Sequence, residues 1–313
     1  MSHIFRALIK ARNRLYETGV LGTHRLNHPV ISVGNLTTGG TGKTPLVIAL
    51  AAEFRDMGYR PVVLSRGYRR TSRGIVVVSR GEGPVVEWEK AGDEPFLMAV
   101  RLPEVAVVVG SDRYKAGLLA EAERLGDLFI LDDGFQHRRL HRDVDIVAID
   151  AEEWTAGEAL LPGGRWREPK SALVRAHAAC VLASGNFPAP LLPIPSFGVH
   201  MTVDGLIRNG TPTPVDSLRG KPIAAFAGIA KPDRFFNTLK SLGLEPARTE
   251  SFPDHHSYRA QDIKLPADHV HITTEKDAIR LPAGDFYFLR ISANIPRFNE
   301  LRDLILTRIT RKG

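Results

Sequence analysis

The chain of 313 residues has one cysteine, few aromatic residues and no long apolar run. Cys180 by itself forms no intrachain disulfide and leaves no cluster for a structural zinc site. Purely apolar runs, such as residues 105–109 and 128–131, are far shorter than the ~18 residues of a membrane span. These features argue against a disulfide framework, a zinc finger and a membrane-spanning helix, and they fit a reducing compartment.

The charge balance is basic, with 42 Lys and Arg against 35 Asp and Glu, for a net charge of +7. An excess of this sign suits phosphate-rich or anionic partners. The basic residues are scattered, however, and the sequence has no aromatic RNA-binding strand motif and no long Lys/Arg run. We therefore expect no nucleic-acid partner, although composition alone leaves that class open.

Residues 1–28 predict a basic amphipathic helix, because apolar and basic side chains separate onto two faces. The apolar face has Ile4, Leu8, Ala11 and Leu15, and the basic face has Arg6, Lys10 and Arg14. The basic residues interrupt what would be the core of a signal peptide, so we expect the segment to be retained. The helix either packs on the domain or lies on anionic lipid, and the sequence does not separate these two interpretations.

Short β-rich runs alternate with helical stretches, which predicts an α/β fold with a mainly parallel sheet flanked by helices. We divide the chain into a core domain of residues 29–195, a β-hairpin connector of residues 196–217 and a smaller C-terminal α/β domain of residues 218–313. The hairpin turn is predicted at Asp204 and Gly205. The last helical stretch of the chain is assigned to the smaller domain.

The strongest local signal is GNLTTGGTGKTP at residues 34–45, directly after an apolar strand and before a helical stretch. Such a P-loop aims backbone N–H groups at phosphate oxygens, while Lys43 neutralises phosphate charge and Thr44 ligates Mg²⁺. Strict spacing would place the first glycine at position 37, where this chain has Thr37. The predicted nucleotide-binding residues are Gly39, Gly40, Thr41, Gly42, Lys43, Thr44 and Pro45.

A P-loop also needs an acid at the end of a buried strand to hold the metal. The string LFILDDGFQH supplies Asp132 for this purpose, and Asp133 beside it is expected to orient water, metal or the loop. The plainer interpretation of the two aspartates is a solvated turn, which Gly134 would favour.

Further polar clusters follow predicted strands, where the sites of α/β proteins form. They are SRGYRR (65–70), AGDEP (91–95), SDRYKAG (111–117), LDDGFQHRRLHRD (131–143), LPGGRWREP (161–169), SFPDHHSY (251–258) and TTEKD (273–277). Together with the P-loop, and in this order, they resemble the tetraacyldisaccharide 4'-kinase family. The resemblance implies transfer of the γ-phosphate of ATP to the 4'-hydroxyl of tetraacyldisaccharide 1-phosphate, giving lipid IVA in lipid A synthesis. It also implies Mg²⁺, a lipid substrate and peripheral contact with the cytoplasmic face of the bacterial inner membrane.

The resemblance implies a role for each matching residue. Thr44, Glu94 and Asp132 would form the metal environment. Asp93 and His255 would act as a pair at the acceptor hydroxyl, either of them taking its proton, and closure of the two domains would bring them together. Catalysis would also use Lys43, Arg66 and Arg113, and the substrate side would be lined by Asn35, Tyr68, Asp133, Gln136, His137, Arg167 and Glu168.

Three other functions account for the P-loop. A GTPase switch needs an NKxD-like string, and the nearest, AKPD at residues 230–233 and TEKD at residues 274–277, do not match it. A kinase or ligase acting on a small soluble metabolite would leave the basic N-terminal helix and the ordered motifs unexplained. A non-enzymatic nucleotide-dependent scaffold would have no use for Asp93 and His255 in turnover.

Overall fold

The structure is a computed structural model. It describes residues 2–182, 190–259, 261–263, 266, 268–282 and 284–310. The strands are β1 (Val30–Gly34), β2 (Pro61–Ser65), β3 (Val76–Arg80), β4 (Ala106–Val109), β5 (Leu128–Asp132), β6 (Val144–Asp150), β7 (Ala178–Leu182), β8 (Ser196–Arg208), β9 (Thr211–Thr213), β10 (Ile223–Ala227), β11 (Pro246–Ser251), β12 (Val270–Thr274) and β13 (Tyr287–Asn294). The helices are α1 (Ser2–Glu17), α2 (Lys43–Asp56), α3 (Trp88–Ala91), α4 (Asp93–Arg101), α5 (Arg113–Ala122), α6 (Ala151–Thr155), α7 (Pro232–Ser241), α8 (Glu275–Ala278) and α9 (Phe298–Ile309).

The chain forms two compact units. The first comprises Met1–Met201 and Ala293–Gly313, and the second comprises Thr202–Ser292.

The first unit is built on a sheet with the order β8-β7-β6-β1-β5-β2-β4-β3. Neighbouring strands are parallel except for β3, which runs antiparallel to β4. The central strands are rich in Val, Ile and Leu and are buried along their whole length, as expected for a sheet covered on both faces. This arrangement confirms the predicted α/β class, and it brings the carboxyl ends of β1, β2, β4 and β5 to one edge.

Helix α9 belongs to the first unit, whereas the sequence assigned the last helix to the smaller domain. Its apolar residues Leu301, Ile305 and Ile309 are buried in the same core cluster as Leu46 and Phe54 of α2. The spacing of those residues predicts an apolar face but not which sheet covers it, so position along the chain was a poor guide.

The strands of the second unit have the order β11-β10-β12-β13, and these four strands are parallel. Helix α7 packs on them through Phe235, Phe236 and Leu239. The sequence prediction of a smaller α/β set after the connector is therefore confirmed for these elements.

The predicted hairpin turn is wrong. Strand β8 runs without a break through Asp204 and Gly205, and the chain turns instead at Asn209 and Gly210 before β9. Both turn residues have positive φ, at 49° and 77°. Asn-Gly is the pair that favours this conformation in a tight hairpin, which is the signal that should have decided the position.

Helix α1 forms where the sequence predicts it. Its apolar residues Ile4 and Leu8 are 67% and 63% exposed. Of the helices that the structure describes, none combines the length and the apolar character needed to cross a membrane.

Candidate active site

The P-loop lies between β1 and α2, and Lys43 is the first residue of that helix. Gly42 precedes it with φ 71°, in the left-handed region that favours glycine. A side chain at this position would begin 2.5 Å from Cδ2 of Leu182 and 2.7 Å from Cε of Met201. Gly42 and the packing around it thus fix the turn at the start of α2. At this turn the first backbone N–H groups of the helix and the positive end of its dipole face the P-loop.

The departure from the strict P-loop pattern has a structural role. The hydroxyl of Thr37 donates to Oε2 of Glu153 at 2.9 Å. The next residue, Thr38, exchanges backbone and side-chain hydrogen bonds with Arg165, including Thr38 N to Arg165 O at 2.7 Å. The first half of the loop is therefore tied to the segment that carries Arg167.

A buried polar chain supports the loop from below. Nδ2 of Asn35 donates to Oγ1 of Thr41 at 2.9 Å. Nε2 of Gln136 donates to the carbonyl of Asn35 at 2.9 Å and to Oε1 of Glu168 at 3.2 Å. Glu168 is fully buried and also pairs with Arg175 at 2.5 Å. The structure thus brings together three of the residues predicted to line the substrate side, Asn35, Gln136 and Glu168. Glu168 is buried and bonded to Gln136, so it does not lie on an open surface.

Helix α1 contacts this chain directly. Nη2 of Arg12 donates to the carbonyl of Gln136 at 2.6 Å, and Nδ2 of Asn13 donates to Oε2 of Glu168 at 3.0 Å. The helix therefore packs on the domain, as one of the two sequence interpretations has it.

Asp132 ends β5 and is 3% exposed. The hydroxyl of Ser65 donates to its Oδ2 at 2.8 Å, while its Oδ1 is buried and has no hydrogen-bond partner. Burial, Glu94 and Asp133 together raise the pKa of Asp132 to about 7. A buried carboxyl oxygen without a donor, close to a second carboxylate, fits a divalent cation that would compensate the charge.

Within the described residues, no three His, Cys, Asp or Glu side chains are grouped to hold a metal by themselves. Mg²⁺ is commonly bound by one or two carboxylates together with substrate phosphates and water. Asp132, Glu94 and the hydroxyl of Thr44 remain the predicted ligands.

Asp133 adopts φ 50°, which is uncommon for a residue with a side chain. Nη1 of Arg167 lies 2.9 and 2.7 Å from its two oxygens, and Nζ of Lys43 lies 3.4 Å from Oδ1. Burial alone would raise the pKa of Asp133, but Lys43 and Arg167 outweigh it and lower the pKa to about 2. The two aspartates are therefore not a solvated turn, because Asp132 is buried and Asp133 is paired with Lys43 and Arg167.

A basic group lies beside these acids. Arg113 begins α5, is buried, and donates from Nη1 to the carbonyl of Ser111 at 2.8 Å. Burial and the nearby charge of Arg66 lower its pKa to about 10. Burial and Arg113 lower the pKa of His137 to about 3, so this imidazole is neutral. An anion would relieve the repulsion between Arg66 and Arg113, so this group suits a phosphate.

Asp93 begins α4 and is almost fully buried, and its Oδ1 accepts from the backbone N–H of Glu94 at 2.9 Å. Gly92 before it has φ 90°, and a side chain there would begin 3.0 Å from the carbonyl of Tyr68. The SRGYRR loop is thus packed on the start of α4. Tyr68 of this loop is 55% exposed.

His255 lies in the second unit, with φ 63°. Its backbone N–H donates to the carbonyl of Gly228 at 3.2 Å. Its Nε2 lies 3.4 Å from Nζ of Lys276 and 3.7 Å from Oδ2 of Asp254. Asp93 belongs to the first unit, and the prediction that His255 meets it stays a prediction.

Several site residues were missed from the sequence. Ser65 could have been found, because β2 pairs with β5 in parallel with Leu64 opposite Leu131, which puts Ser65 level with Asp132. Lys276 lies in a motif that was noticed but given no role. Asn13 and Arg175 reach the site from distant segments, and no local pattern marks them.

The site therefore joins a P-loop, an acidic strand end and a basic cluster with Arg66 and Arg113. The sequence profile of the tetraacyldisaccharide-1-P 4'-kinase family matches residues 1–310. The chain belongs to this family.

Curated relatives agree in name and in length. The tetraacyldisaccharide 4'-kinase of Aquifex aeolicus is 39% identical over 307 residues, covering 97% of this chain and 96% of the relative. That of Pelobacter propionicus is 41% identical over 298 residues, covering 90% and 81%. The crystal structure of the "apo" form of LpxK from Aquifex aeolicus in complex with ATP superposes with a TM-score of 0.86 at 38% identity, covering 98% of this chain and 96% of that one. The resemblance and the fold class inferred from the sequence are confirmed.

Proposed function

We propose that the chain transfers the γ-phosphate of ATP to the 4'-hydroxyl of tetraacyldisaccharide 1-phosphate, the reaction for which its family is named. The observation that carries the proposal is the Lys43–Asp133–Arg167 group at the mouth of the P-loop, within a family match over nearly the whole chain. The relative of known structure is an ATP complex.

The P-loop would hold the β- and γ-phosphates of ATP through its backbone N–H groups and Lys43. Asp132, Glu94 and Thr44 would hold Mg²⁺, which when bound neutralises charge on these phosphates. Arg66 and Arg113 would stabilise the charge that spreads over the transferring phosphoryl group.

At the acceptor, a bond forms between the 4'-oxygen and the γ-phosphorus while the bond from that phosphorus to the β–γ bridging oxygen breaks, leaving ADP. The proton of the hydroxyl passes to Asp93 or His255.

Helix α1 fits peripheral contact with the cytoplasmic face of a bacterial inner membrane. Its exposed Ile4 and Leu8 supply an apolar surface, and the net charge of the chain favours anionic lipid. The acyl chains of the substrate and this helix would then share one interface.

The test compares Asp93→Asn with Lys43→Ala in phosphate transfer and in ATP binding. A group used only in the chemical step should lose turnover by about 100-fold or more with nearly unchanged ATP affinity. Lys43→Ala should instead lose ATP affinity as well. Loss of ATP binding in Asp93→Asn would contradict the role of Asp93.

A further inference from the structure

The loop that carries His255 has a conformation that its own residues do not favour. His255 has φ 63°, a region that side-chain-bearing residues seldom adopt unless surrounding contacts impose it. Its backbone N–H is bound to the carbonyl of Gly228, the first residue after β10. The position of this imidazole therefore depends on what fixes Gly228.

One buried carboxylate fixes it. Asp277 is fully buried, and its Oδ1 accepts from the backbone N–H of Gly228 at 3.0 Å and from the hydroxyl of Tyr258 at 2.8 Å. Its Oδ2 accepts from the hydroxyl of Thr274 at 2.6 Å. Arg280 pairs with Asp277 and donates from Nη2 to the carbonyl of Gly228 at 3.0 Å. Both backbone polar groups of Gly228 are thus bound to the same ion pair.

The space at Gly228 is closed as well. A side chain there would begin 2.7 Å from the hydroxyl oxygen of Tyr258 and 3.1 Å from Oδ1 of Asp277. The ring of Tyr258 packs edge-on against Phe226 at 5.8 Å and against Phe252 at 5.1 Å. Burial and Asp277 also raise the pKa of the Tyr258 phenol, which keeps its proton available to Asp277.

The His255 loop is consequently held at both ends. Phe252 precedes it and Tyr258 follows it, and these two rings contact each other. The ring of His256 stacks on Phe252 at 4.9 Å and meets Tyr258 edge-on at 4.9 Å. The two neighbouring histidines differ in their contacts, since the ring of His256 packs on Phe252 and Tyr258, whereas Nε2 of His255 lies near Lys276 and Asp254.

We propose that Asp277 and Tyr258 are positioning residues for His255, acting through Gly228 and the aromatic support to set where the imidazole meets the acceptor. The inference rests on the proposed function, in which His255 serves the acceptor hydroxyl. A displacement of a reacting group by about 1 Å can reduce turnover by about 100-fold without altering the binding of the other substrate.

Tyr258→Phe and Thr273→Val make a matched pair. Each removes one buried hydroxyl of the second unit and leaves a similar apolar shape. The Thr273 hydroxyl donates to the carbonyl of Phe226 at 2.8 Å and supports β10 rather than the loop. Asp277→Asn is the second test variant, because it keeps the shape of the carboxylate while removing its charge.

Turnover and KM for ATP are measured with the lipid acceptor, alongside melting temperature. We expect Tyr258→Phe to lower kcat about tenfold, and Asp277→Asn to lower it further, with KM for ATP nearly unchanged. Thr273→Val should lower the melting temperature comparably to Tyr258→Phe and leave kcat close to that of the wild type. Equal kcat in Tyr258→Phe and Thr273→Val would overturn the inference.

The same substitutions are then made in a His255→Ala chain. If Asp277 and Tyr258 act through His255, neither should lower kcat further in that background. A tenfold fall in both backgrounds would show a purely structural role and overturn the inference. Full activity of His255→Ala alone would also overturn the inference, whereas absence of lipid phosphorylation by the wild-type chain would contradict the proposed function, so the two failures are distinguishable.

Discussion

Replacement of Gly42 by alanine should be costly because the backbone conformation and the space are both wrong for a side chain. The left-handed φ of 71° costs about 1–2 kcal/mol for a residue other than glycine. Insertion of a methyl group 2.5 Å from the buried Leu182 side chain adds about 1–3 kcal/mol. We therefore expect Gly42→Ala to lower the free energy of unfolding by about 2–5 kcal/mol.

Gly58 supplies the control at the other end of α2. It has φ 91°, but a side chain there would meet no atom within 4 Å. Gly58→Ala should therefore carry only the backbone term of about 1–2 kcal/mol. Urea unfolding measures both variants, and titration with ATP should show weaker binding for Gly42→Ala alone.

A second substitution isolates the steric part. Leu182→Ala removes the nearest contact of a side chain at position 42, while Cε of Met201 remains 2.7 Å away, so Gly42→Ala should cost less in that background than in the wild type. Equal costs for the two glycines in the wild-type background, or unchanged ATP affinity in Gly42→Ala, would refute the reasoning.

Three further predictions follow from the site and from α1. The pKa of Asp132 in the folded protein is raised to about 7, above its pKa in the unfolded chain. Ionisation of Asp132 therefore destabilises the folded protein as the pH rises from the unfolded-state pKa to the folded-state pKa. Asp132→Asn should thus be more stable than the wild type at pH 8 in EDTA but not at pH 4, and inactive; equal urea stability at pH 8 would contradict this. Arg167→Met removes the cation whose Nη1 contacts both oxygens of Asp133, so kcat should fall about tenfold; unchanged kinetics would count against a role for that pair. Ile4→Glu with Leu8→Glu should weaken sedimentation with anionic liposomes while leaving ATP affinity intact, and unchanged sedimentation would exclude α1 as a membrane contact.

Local patterns were enough for the sheet of the first unit and for the elements that carry the P-loop. Alternation of apolar runs with helical stretches predicts parallel strands, and the carboxyl ends of such strands meet at one edge. Asp132 and the residues of the P-loop were found for that reason. The same rule, applied to strand register, would also have found Ser65.

Features that depend on distant segments were not predictable in this way. Asn13 and Arg175 reach Glu168 from segments that no spacing rule connects. Asp277 lies in a motif that was given no role for it, and the structure shows it fully buried with Arg280 and the N–H of Gly228 bound to its carboxylate. The groups that compensate a buried charge are brought together by the tertiary fold. A sequence motif therefore shows where such a residue lies in the chain but not what it does.

The hairpin error has a different origin. Asp204-Gly205 and Asn209-Gly210 are both turn signals, and the first was chosen although the second is the stronger. In the structure, Asp204 lies within the uninterrupted strand β8, and its carboxylate accepts a hydrogen bond from the hydroxyl of Ser292.

The most direct test of the central claim is transfer of labelled γ-phosphate from Mg·ATP to tetraacyldisaccharide 1-phosphate in detergent micelles, with GTP and acceptor-free reactions as controls. We predict label in the lipid, at the 4' position, that depends on ATP and on the acceptor. Hydrolysis of ATP without labelled lipid, or equal transfer from GTP, would contradict the account.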